Sequence, residues 1–442
     1  MTPLDFLRWY KHDERSVRGS YYPSGPLDVQ EGDRVGVVLM NLGGPTTLAD
    51  VEPFLYNLLM DPSLLDLPVG GGLRHLLCKG LASYWSDAVQ QEYELIGGGS
   101  PLTRLTHEQA GSLGQYLNDH FGDPTGIEFR PYVAMRYWHP FSEEAAAQMR
   151  EDDVDQVVLL PLYPQYSKAT SGSALAYWKA LEEDGALPSW PTTTVYEYAA
   201  NPKYVQALSE RIDEGLQRFP RTKRDDVHLV FSAHSAPLHD SHRRDPYCCL
   251  VHATIQRVMA HRGHDRPYHT GFQNKIGLRR GLAPTLSTTL ERLPDDGGDS
   301  VLVVPLTFAT DHFLTSYGLD IEARERAETA GITHFEVTCG LNTHPLFIEA
   351  LAEAAVSQLN LPVDVNQLRV GGDGLAQDYP LRPFGERPRH DAARGARCPY
   401  CENSVAARRW TVSDDVPDTR AVHAGNGSDA EGTSTESSES DS

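Results

Sequence analysis

The sequence of 442 residues predicts an α/β protein, with two doubly wound domains whose parallel sheets surround a central cleft. Three features indicate this fold. Short apolar runs recur along the chain and are separated by segments with helical periodicity. The alternation fills two stretches of similar length, so we expect one sheet in each. The apolar runs are continuous, as they are in strands buried on both faces of a parallel sheet.

The composition and charge exclude several functional classes. A formal net charge of -22 argues against a nucleic-acid partner, because binding phosphate requires clustered Lys and Arg. Six cysteines in a chain of this size do not form an extracellular disulfide framework. No apolar run approaches the about 20 residues that span a bilayer, and the N-terminus lacks the apolar region of a secretory signal. We therefore expect a cytoplasmic protein.

Residues 1–34 form a polar extension that is punctuated by Pro and Gly. The first domain, residues 35–195, begins with a continuous apolar strand at 35–40. The motif NLGGP follows at the strand exit, where glycine allows a tight turn or a close approach of the backbone to a ligand. The other main elements predicted here are helices at 50–61, 73–85, 106–121 and 142–151 and strands at 132–136 and 156–162.

The helix at 73–85 has two interpretations. It is apolar at six positions, with basic residues scattered between them. We favour a helix buried in the core, since large apolar side chains are usually buried. The alternative is an exposed lip that touches a flat apolar ligand or a membrane surface, which would make the protein peripheral to the inner membrane.

The second domain, residues 196–360, repeats the alternation of helices and strands. Its predicted helices are 202–219, 249–261, 285–293 and 312–330, and its strands are 229–231, 268–272 and 300–305. Residues 361–442 form a C-terminal extension with a CxxC pair and an acidic, Ser-rich tail that we expect to be disordered.

One histidine stands where an α/β sheet places its ligands. In HLVFSAHSAP, residues 228–237, a short apolar strand ends just before His234, which lies near Ser232 and Ser235. Ligands bind outside the carboxyl ends of such strands, and imidazole titrates near neutrality, as a general base requires. A lone histidine of this kind is more often a core or capping residue, so the rest of the chain decides between the two roles.

The helix predicted at 312–330 places positions 314, 318 and 322 on one face. These positions hold Leu314, Gly318 and Glu322. A glycine inside a helix is unfavourable by about 1 kcal/mol relative to Ala. Gly318 therefore indicates a bulge, a close approach or a lost side chain.

A series of motifs in fixed order resembles ferrochelatase. The motifs are NLGGP, YELIGGGSP, PLYPQYSKATSGS, FSAHSAP, PLTFATDHFLTSYGLDIE and LNTHPLFIEAL, and together they cover about residues 35–355. The resemblance implies two Rossmann-like, chelatase-type domains around a cleft that holds a porphyrin, either protoporphyrin IX or coproporphyrin III. It also implies an enzyme, a lyase of haem biosynthesis that takes Fe²⁺ as a substrate and inserts it into the porphyrin.

Metal insertion removes two N–H protons from the porphyrin while the metal enters from one face, and bending the ring exposes the nitrogen lone pairs. The resemblance assigns His234 as the base and as a ligand of Fe²⁺, with Asp311, His312 and Glu322 as further catalytic groups. The substrate-binding residues that it implies are Tyr163, Tyr166, Ser167, Tyr93, Asn41, Gly43, Ser232 and Ser235.

The sequence departs from the family pattern at several of these places. Leu314 and Gly318 stand where acids are usual, Gly281 replaces a tryptophan, and Trp85 replaces an arginine. Three interpretations stay open: a ferrochelatase in which Asp311, His312 or Glu322 replaces the proton relay, a chelatase for another metal or tetrapyrrole, and a porphyrin-binding or haem-binding protein without turnover.

The C-terminal extension raises a separate question. Cys398 and Cys401 have the spacing of cysteines that bind an iron–sulfur cluster in some ferrochelatases. A [2Fe–2S] cluster needs about four ligands, and Ala406 and Lys168 stand at the other two cysteine positions. The sequence therefore favours a redox-inert pair, with zinc binding as an alternative. We expect no required cofactor, and the sequence leaves the oligomeric state open.

Overall fold

The computed structural model describes residues 1–10, 15, 21–22, 26–65, 67–236, 245–273 and 281–362. These residues form two four-stranded sheets and a two-stranded one. The strands are β1 Leu27–Asp28, β2 Arg34–Asn41, β3 Glu128–Met135, β4 Gln156–Pro161, β5 Thr192–Thr194, β6 His228–His234, β7 Tyr268–Gln273, β8 Ser300–Pro305, β9 His334–Val337 and β10 Leu359–Asn360.

The two large sheets have the same topology. Their strand orders are β3-β2-β4-β5 and β7-β6-β8-β9, and all pairings within them are parallel. Strands β2 and β8 are buried along almost their whole length, which explains their continuous apolar sequence. The expectation of two similar α/β halves with parallel sheets is confirmed. We call the half with the first sheet the N lobe and the half with the second sheet the C lobe.

Helices connect the strands and cover the sheets. The α-helices are α1 Pro3–Tyr10, α2 Val51–Met60, α3 Gly71–Leu95, α4 Leu102–Leu117, α5 Asp123–Thr125, α6 Ser142–Glu151, α7 Ser173–Glu183, α8 Pro202–Leu216, α9 Tyr247–His261, α10 Leu286–Arg292, α11 Ala323–Ala330 and α12 Pro345–Val356. Short 3₁₀ turns occur at Leu48–Asp50 and Arg224–Asp226, and π-helical segments occur at Asn118–Gly122, Lys168–Gly172 and Leu314–Glu322.

A hydrophobic core links the two lobes. One cluster of buried residues contains Leu39 of β2 and Phe231 of β6, together with Leu208 of α8 and Phe347 of α12. In addition, β1, which precedes the first large sheet, pairs with β10, which follows the second. Apolar contacts of this kind tie the lobes together. The predicted domain boundary at 195–196 falls between β5 and α8 and stays a prediction.

Helix α3 is longer than predicted and lies at the surface. Its outer side exposes Leu76 (66%) and Tyr84 (80%), so our preference for a core helix is wrong. The buried stripe of α3 is narrow, since Arg74, Cys78 and Ala82 follow one another at intervals of four residues. Arg74 and Cys78 both donate hydrogen bonds to a main-chain carbonyl of α2. This close contact with α2 leaves the larger apolar side chains outside.

The segment predicted as one helix at 312–330 has two parts. Residues Leu314–Glu322 are π-helical, and α11 follows them. A Cβ added to Gly318 would meet only the Leu314 Cδ2, at 3.9 Å, among the described atoms within 4 Å. The close approach that we considered for this glycine is therefore excluded, while a bulge and a lost side chain remain. Segments of π-helix occur frequently at functional sites.

Helix α1 is an element that the sequence did not predict, because it lies in the polar extension. Its Phe6 is buried, and the ring centroid lies 4.5 Å from the guanidinium carbon of Arg136. The same guanidinium lies 4.3 Å from the ring centroid of Tyr177 in α7. The extension thus contributes to the N lobe by covering a buried cation with an aromatic ring.

Asp61, which follows α2, is the partner of this buried arginine. Its side chain has no exposed surface and accepts hydrogen bonds from Arg136 at 2.9 Å, from the Tyr137 hydroxyl at 2.7 Å and from the Ser173 hydroxyl. Burial alone would raise the pKa of this carboxyl, but Arg136 and the hydroxyl donors hold the pKa below its usual value.

We predict that Asp61→Ala lowers the free energy of unfolding by about 3–5 kcal/mol, because it leaves the Arg136 charge buried without its partner. Urea denaturation monitored by circular dichroism measures this loss. Asp5→Ala is the matched control, since Asp5 forms an exposed ion pair with Arg8 at 3.4 Å, and we expect it to change the free energy of unfolding far less than Asp61→Ala does. Equal effects of the two substitutions would contradict the assignment of Asp61 to the core.

Candidate active site

His234 is the last residue of β6. Its backbone groups make hydrogen bonds, whereas the Nδ1 of its ring makes none among the described residues. Its N–H donates to the Thr307 hydroxyl at 3.0 Å, and its carbonyl accepts a hydrogen bond from the Tyr247 hydroxyl at 2.8 Å. The Nδ1 of the ring is buried and has no hydrogen-bond partner within the described part of the chain. A buried polar atom without a partner is unusual and is often found where function requires it.

A second histidine, His312, has the same property. Its side chain is almost fully buried, and neither ring nitrogen has a partner of normal hydrogen-bond geometry among the described residues. The ring of Phe308 brings the two histidines together, with centroid distances of 4.1 Å to His312 and 6.0 Å to His234. The ring of Tyr163 also packs against Phe308, with a distance of 5.9 Å between the ring centroids. His234, His312 and Tyr163 thus form one cluster around Phe308, a residue that sequence analysis missed.

Burial determines the protonation state of both imidazoles. It lowers the pKa of His234 to about 4, and burial together with the neighbouring His234 lowers the pKa of His312 to about 3. Both rings are therefore neutral at cellular pH. A neutral imidazole nitrogen can accept a proton or bind a metal ion.

Asp311 occupies a different environment from its neighbour His312. Its carboxylate accepts a hydrogen bond from the Gly340 N–H at 3.0 Å and another from the Asn342 side chain at 2.8 Å. The structure thus places Asp311 beside the β9–α12 connection. Its assignment as a catalytic group stays a prediction.

The acidic groups of the site lie around the π-helical segment. Glu322, at its end, is paired with Arg326 at 2.9 Å and is about two-fifths exposed. Glu92 of α3 approaches from the N lobe, where burial and the charge of Glu322 raise its pKa while the adjacent Tyr317 hydroxyl lowers it. Sequence analysis missed Glu92 because it considered acids on the 314–322 face alone, although Glu92 directly precedes Tyr93 in the YELIGGGSP motif.

Aromatic contacts join α3 to the π-helical segment. Tyr93 stacks on Phe313 with a centroid distance of 4.5 Å, and Phe313 stacks on Tyr317 at 5.3 Å. Tyr93 is buried by this contact between the lobes. The structure therefore places Tyr93 at the junction of the lobes, and its contact with a substrate stays a prediction.

Two glycine-rich loops meet beside this junction. The Ser100 N–H of the IGGGSP loop donates to the Pro45 carbonyl of the NLGGP loop at 2.8 Å. Gly43 has a φ of 83°, and a Cβ there would lie 2.9 Å from the Trp138 backbone nitrogen. Asn41 is buried and donates to the Thr106 hydroxyl at 3.2 Å. Asn41 and Gly43 thus fix the loop, and contact of either with substrate stays a prediction.

A shallow cavity of about 510 Å³ opens next to the IGGGSP loop. The loop contributes Gly97 and Ser100, α4 contributes Arg104 and His107, and the C lobe contributes Ser316. Arg104 is exposed and is paired with Glu108 at 2.5 Å. The cavity is therefore lined by residues of both lobes, with Arg104 as a cationic side chain among them.

The remaining implied substrate residues lie in structural contacts. Ser167 is buried beside Asp245, and its hydroxyl lies 3.3 Å from that carboxylate. Ser232 accepts a hydrogen bond from the Gln273 side chain at 2.6 Å, and Ser235 accepts one from the Leu282 N–H at 3.1 Å. Each of these hydroxyls joins neighbouring segments of the fold, and contact with a porphyrin stays a prediction for all three.

Tyr166 is a correction to the implied pocket. It has no exposed surface and stacks on Tyr196 at 4.2 Å, within the core cluster that contains Phe6 of α1. We expected His234 to face an open cleft, but the ring of Phe308 lies next to its imidazole. His234 lines neither the cavity at the IGGGSP loop nor the one of about 400 Å³ beneath α1.

The described residues give little support for a resident metal. Among them, no group of three or more His, Cys, Asp and Glu side chains is placed to hold an ion. Lys168 lies in a π-helical turn where the family's cluster cysteine would stand, and Cys398 and Cys401 lie outside the described residues. Within the described part of the chain, no helix has the length and hydrophobicity to cross a membrane.

A family model for ferrochelatase matches residues 34–359. The chain belongs to the ferrochelatase family. The ferrochelatases of Trichormus variabilis and Trichodesmium erythraeum are 40% and 38% identical to it over 331 residues, which are 74% of this chain and 83% and 84% of those proteins. Among solved structures, SirB from Bacillus subtilis with Fe³⁺ has a TM-score of 0.42 and 10% identity, over 74% of this chain and 96% of SirB.

Family membership confirms the resemblance found in the sequence and identifies a chelatase enzyme. It leaves the departures from the ferrochelatase pattern in place. Leu314 and Gly318 lie on the π-helical segment between His312 and Glu322. These two positions, four residues apart, carry no ionisable group.

The histidine cluster predicts a specific pH dependence of stability. The pKa values of His234 and His312 lie below the ordinary value near 6.5, so the unfolded chain binds protons first as the pH falls. Stability from these groups is fully present above pH 6.5 and is lost as the pH falls toward 4. We predict that His312→Leu reduces this loss between pH 7.5 and 5, as measured by urea denaturation at several pH values. His107→Leu is the control, since His107 is exposed, and parallel pH curves for both variants and the unchanged protein would refute the prediction.

Proposed function

We propose that this chain is a ferrochelatase that inserts Fe²⁺ into protoporphyrin IX or coproporphyrin III. The observation that carries the proposal is a pair of imidazoles beside Phe308: both ring nitrogens of the buried His312, and the buried Nδ1 of the half-buried His234, lack a hydrogen-bond partner among the described residues. Neutral imidazole suits both tasks of the reaction, because it accepts protons and is a common ligand of ferrous iron. Fe²⁺ enters as a substrate and leaves within the product.

The reaction exchanges one metal ion for two protons. The two pyrrole N–H bonds break, four nitrogen atoms bind Fe²⁺, and two protons are released to solvent. We propose that His234 accepts a pyrrole proton at its unbonded ring edge. Since burial keeps the pKa of His234 at about 4, its imidazolium is acidic and passes the proton on rather than retaining it.

The proton then needs a route that avoids Leu314 and Gly318, which carry no ionisable group. We propose that Glu92 and Glu322 provide the outer end of that route from opposite lobes, with Tyr317 between the helices that bear them. Burial and the Glu322 charge raise the pKa of Glu92, which suits a carboxyl that must bind and release protons. Ordered water would connect this end to His312 across Gly318, which has no side chain to block it.

The porphyrin carries carboxylates on its rim, and these require cationic partners. Trp85 stands where the family has an arginine. We propose that Arg104 and His107, which line the cavity at the IGGGSP loop, take this role. The exposed side of Arg104 leaves its guanidinium able to exchange Glu108 for a carboxylate of the substrate.

A second candidate function is a protein that binds porphyrin or haem without turnover. The absence of acids at Leu314 and Gly318 favours it, because this loss affects proton transfer and leaves the aromatic contacts of the cleft intact. A chelatase for another metal or tetrapyrrole is the remaining alternative.

We predict that the purified chain, supplied with Fe²⁺ and protoporphyrin IX or coproporphyrin III under anaerobic conditions, quenches free-porphyrin fluorescence over many turnovers. His234→Ala should reduce kcat by about a hundredfold or more, because it removes the base. His261→Ala is the fold control, since His261 is exposed at the end of α9 and belongs to neither the histidine cluster nor the cavity at the IGGGSP loop. Tight stoichiometric binding with no turnover above the metal-alone control would favour the binding protein, and failure to bind either porphyrin would refute both functions.

The exposed side of α3 suggests where the enzyme meets its apolar substrate. Leu73, Leu76 and Tyr84 form an apolar surface at the N-terminal half of the helix, with Lys79 among them. We propose that this lip rests on a membrane surface, so that the protein is cytoplasmic and peripheral to the inner membrane. Apolar side chains partition into the interface, and a nearby lysine suits anionic headgroups.

We predict that Leu76→Glu weakens binding to vesicles of mixed phosphatidylcholine and phosphatidylglycerol by about tenfold, because one buried leucine contributes about 1.5–3 kcal/mol. Leu95→Glu is the matched control, since Leu95 is equally exposed (66%) on the same helix but lies about 28 Å farther along it. Cosedimentation measures both. An equal loss for the two variants, or no binding by the unchanged protein, would refute contact through the lip.

A further inference from the structure

We propose that Asp311 positions His312 instead of carrying protons, and that it does so within an interlobe clasp formed by Gln109, Thr310, Asp311 and Asn342. The inference rests on the proposed function, because it assigns a role for the histidine cluster. It concerns how the two lobes hold one ring that has no hydrogen bond of its own.

Asp311 and Asn342 are bonded twice to each other. The Asp311 N–H donates to the Asn342 Oδ1 at 2.9 Å, and the Asn342 Nδ2 donates to the Asp311 Oδ2 at 2.8 Å. The Gly340 N–H donates to the other carboxylate oxygen, Oδ1, at 3.0 Å. A Cβ at Gly340 would lie 2.9 Å from that oxygen, so only glycine allows this approach without displacement.

These bonds give the Asp311 carboxylate a structural role. Each carboxylate oxygen accepts a hydrogen bond from an N–H donor, so a turn of the side chain would break at least one of these bonds. A buried donor that is left without its acceptor is unfavourable. The same arrangement holds the backbone at Asp311 in one position, and His312 is the next residue.

Gln109 extends the contact to the N lobe. It lies on α4, has no exposed surface, and uses both ends of its amide on the C lobe. Its Nε2 donates to the Asn342 carbonyl at 2.9 Å, and its Oε1 accepts from the Thr310 hydroxyl at 3.0 Å. Asn342 is the hydrogen-bond partner of Asp311, and Thr310 is the residue that precedes Asp311. The interlobe clasp therefore fixes the chain at 310–311 from two directions.

His312 depends on this support because its ring nitrogens make no hydrogen bond of normal geometry among the described residues, and the main-chain group that acts on the ring belongs to Thr310, which is itself part of the interlobe clasp. Its backbone N–H donates to the Thr315 hydroxyl at 2.9 Å, while its ring is held by packing against Phe308. The orientation of the ring thus depends on where the main chain before it is fixed. We infer that a shift of Asp311 would turn the His312 ring away from the cluster.

A polarity swap separates positioning from proton transfer. Asp311→Asn places an amide nitrogen against the Asn342 amide, so one bond is lost, and Asn342→Asp places two carboxylates together. The double variant D311N/N342D restores all three bonds, with donor and acceptor exchanged only in the bond between the two side chains, and it leaves no carboxyl at position 311. A residue in the left-handed region (Asn342 φ 47°) tolerates Asp as well as Asn.

Two readouts follow the swap. The first is kcat and its pH profile in the ferrous-iron assay: each single variant should lose about tenfold in kcat with little change in KM, and the double variant should regain it with an unshifted profile. The second is the rate at which diethyl pyrocarbonate modifies His312, measured by peptide mass spectrometry. The single variants should raise this rate, and the double variant should restore it.

Each result decides the proposal. Recovery in the double variant supports positioning, and if a single variant fails to fold, recovery of cooperative unfolding in the double variant gives the same support. A double variant as inactive as D311N, with His312 protected as in the unchanged protein, would show that Asp311 carries protons. An unchanged protein that lacks turnover would refute the proposed function alone, because His312 modification would still test the interlobe clasp.

Discussion

Two hydrogen bonds fix the main chain at His234 while its Nδ1 stays buried and unbonded, and the site depends on this arrangement. An unpaired buried polar atom is destabilising by about 1–3 kcal/mol, so the surrounding fold must offset it. Here the offset comes from β6, which is buried between β7 and β8 along nearly its whole length. Any side chain that bonded the ring would stabilise the fold but occupy a nitrogen that is free for the proposed reaction. The stable sheet therefore permits a reactive imidazole at its end.

His312 also has buried ring nitrogens without hydrogen-bond partners among the described residues, but different contacts hold its main chain in place. No β-strand ladder holds this residue, which precedes a π-helical segment in the C lobe. Its surroundings come from both lobes, through Gln109 on one side and the stack of Tyr93 on Phe313 on the other. A rearrangement of one lobe against the other would therefore change the geometry of His312 before that of His234. The two imidazoles differ in how strongly they depend on the closure of the cleft.

Sequence reasoning succeeded where local pattern decides structure and failed where contacts between distant segments decide it. Continuous apolar runs located β2 and β8, and the strand end located His234, because burial on both faces leaves a direct record in the sequence. The surface position of α3 left no such record, since its buried stripe consists of Arg74, Cys78 and other residues of ordinary helix composition. The surroundings of Phe308 and Glu92 arise from contacts between the two lobes. The spacing of residues within one segment does not predict such contacts.

The charge of the whole chain argues against a nucleic-acid partner but says little about the site. At physiological ionic strength, charges more than about 8 Å apart are largely screened, so the net charge of -22 does not set the field at the cleft. Local groups do. The carboxyl groups of Glu92 and Glu322 lie close enough to interact, whereas the cavity at the IGGGSP loop is lined by Arg104. A ferrous ion and a porphyrin carboxylate carry opposite charges, and one uniform field would repel one of them. Under the proposed function, the two carboxyl groups would attract the ferrous ion and Arg104 would bind the carboxylate, so that two sites of different charge would serve the two substrates.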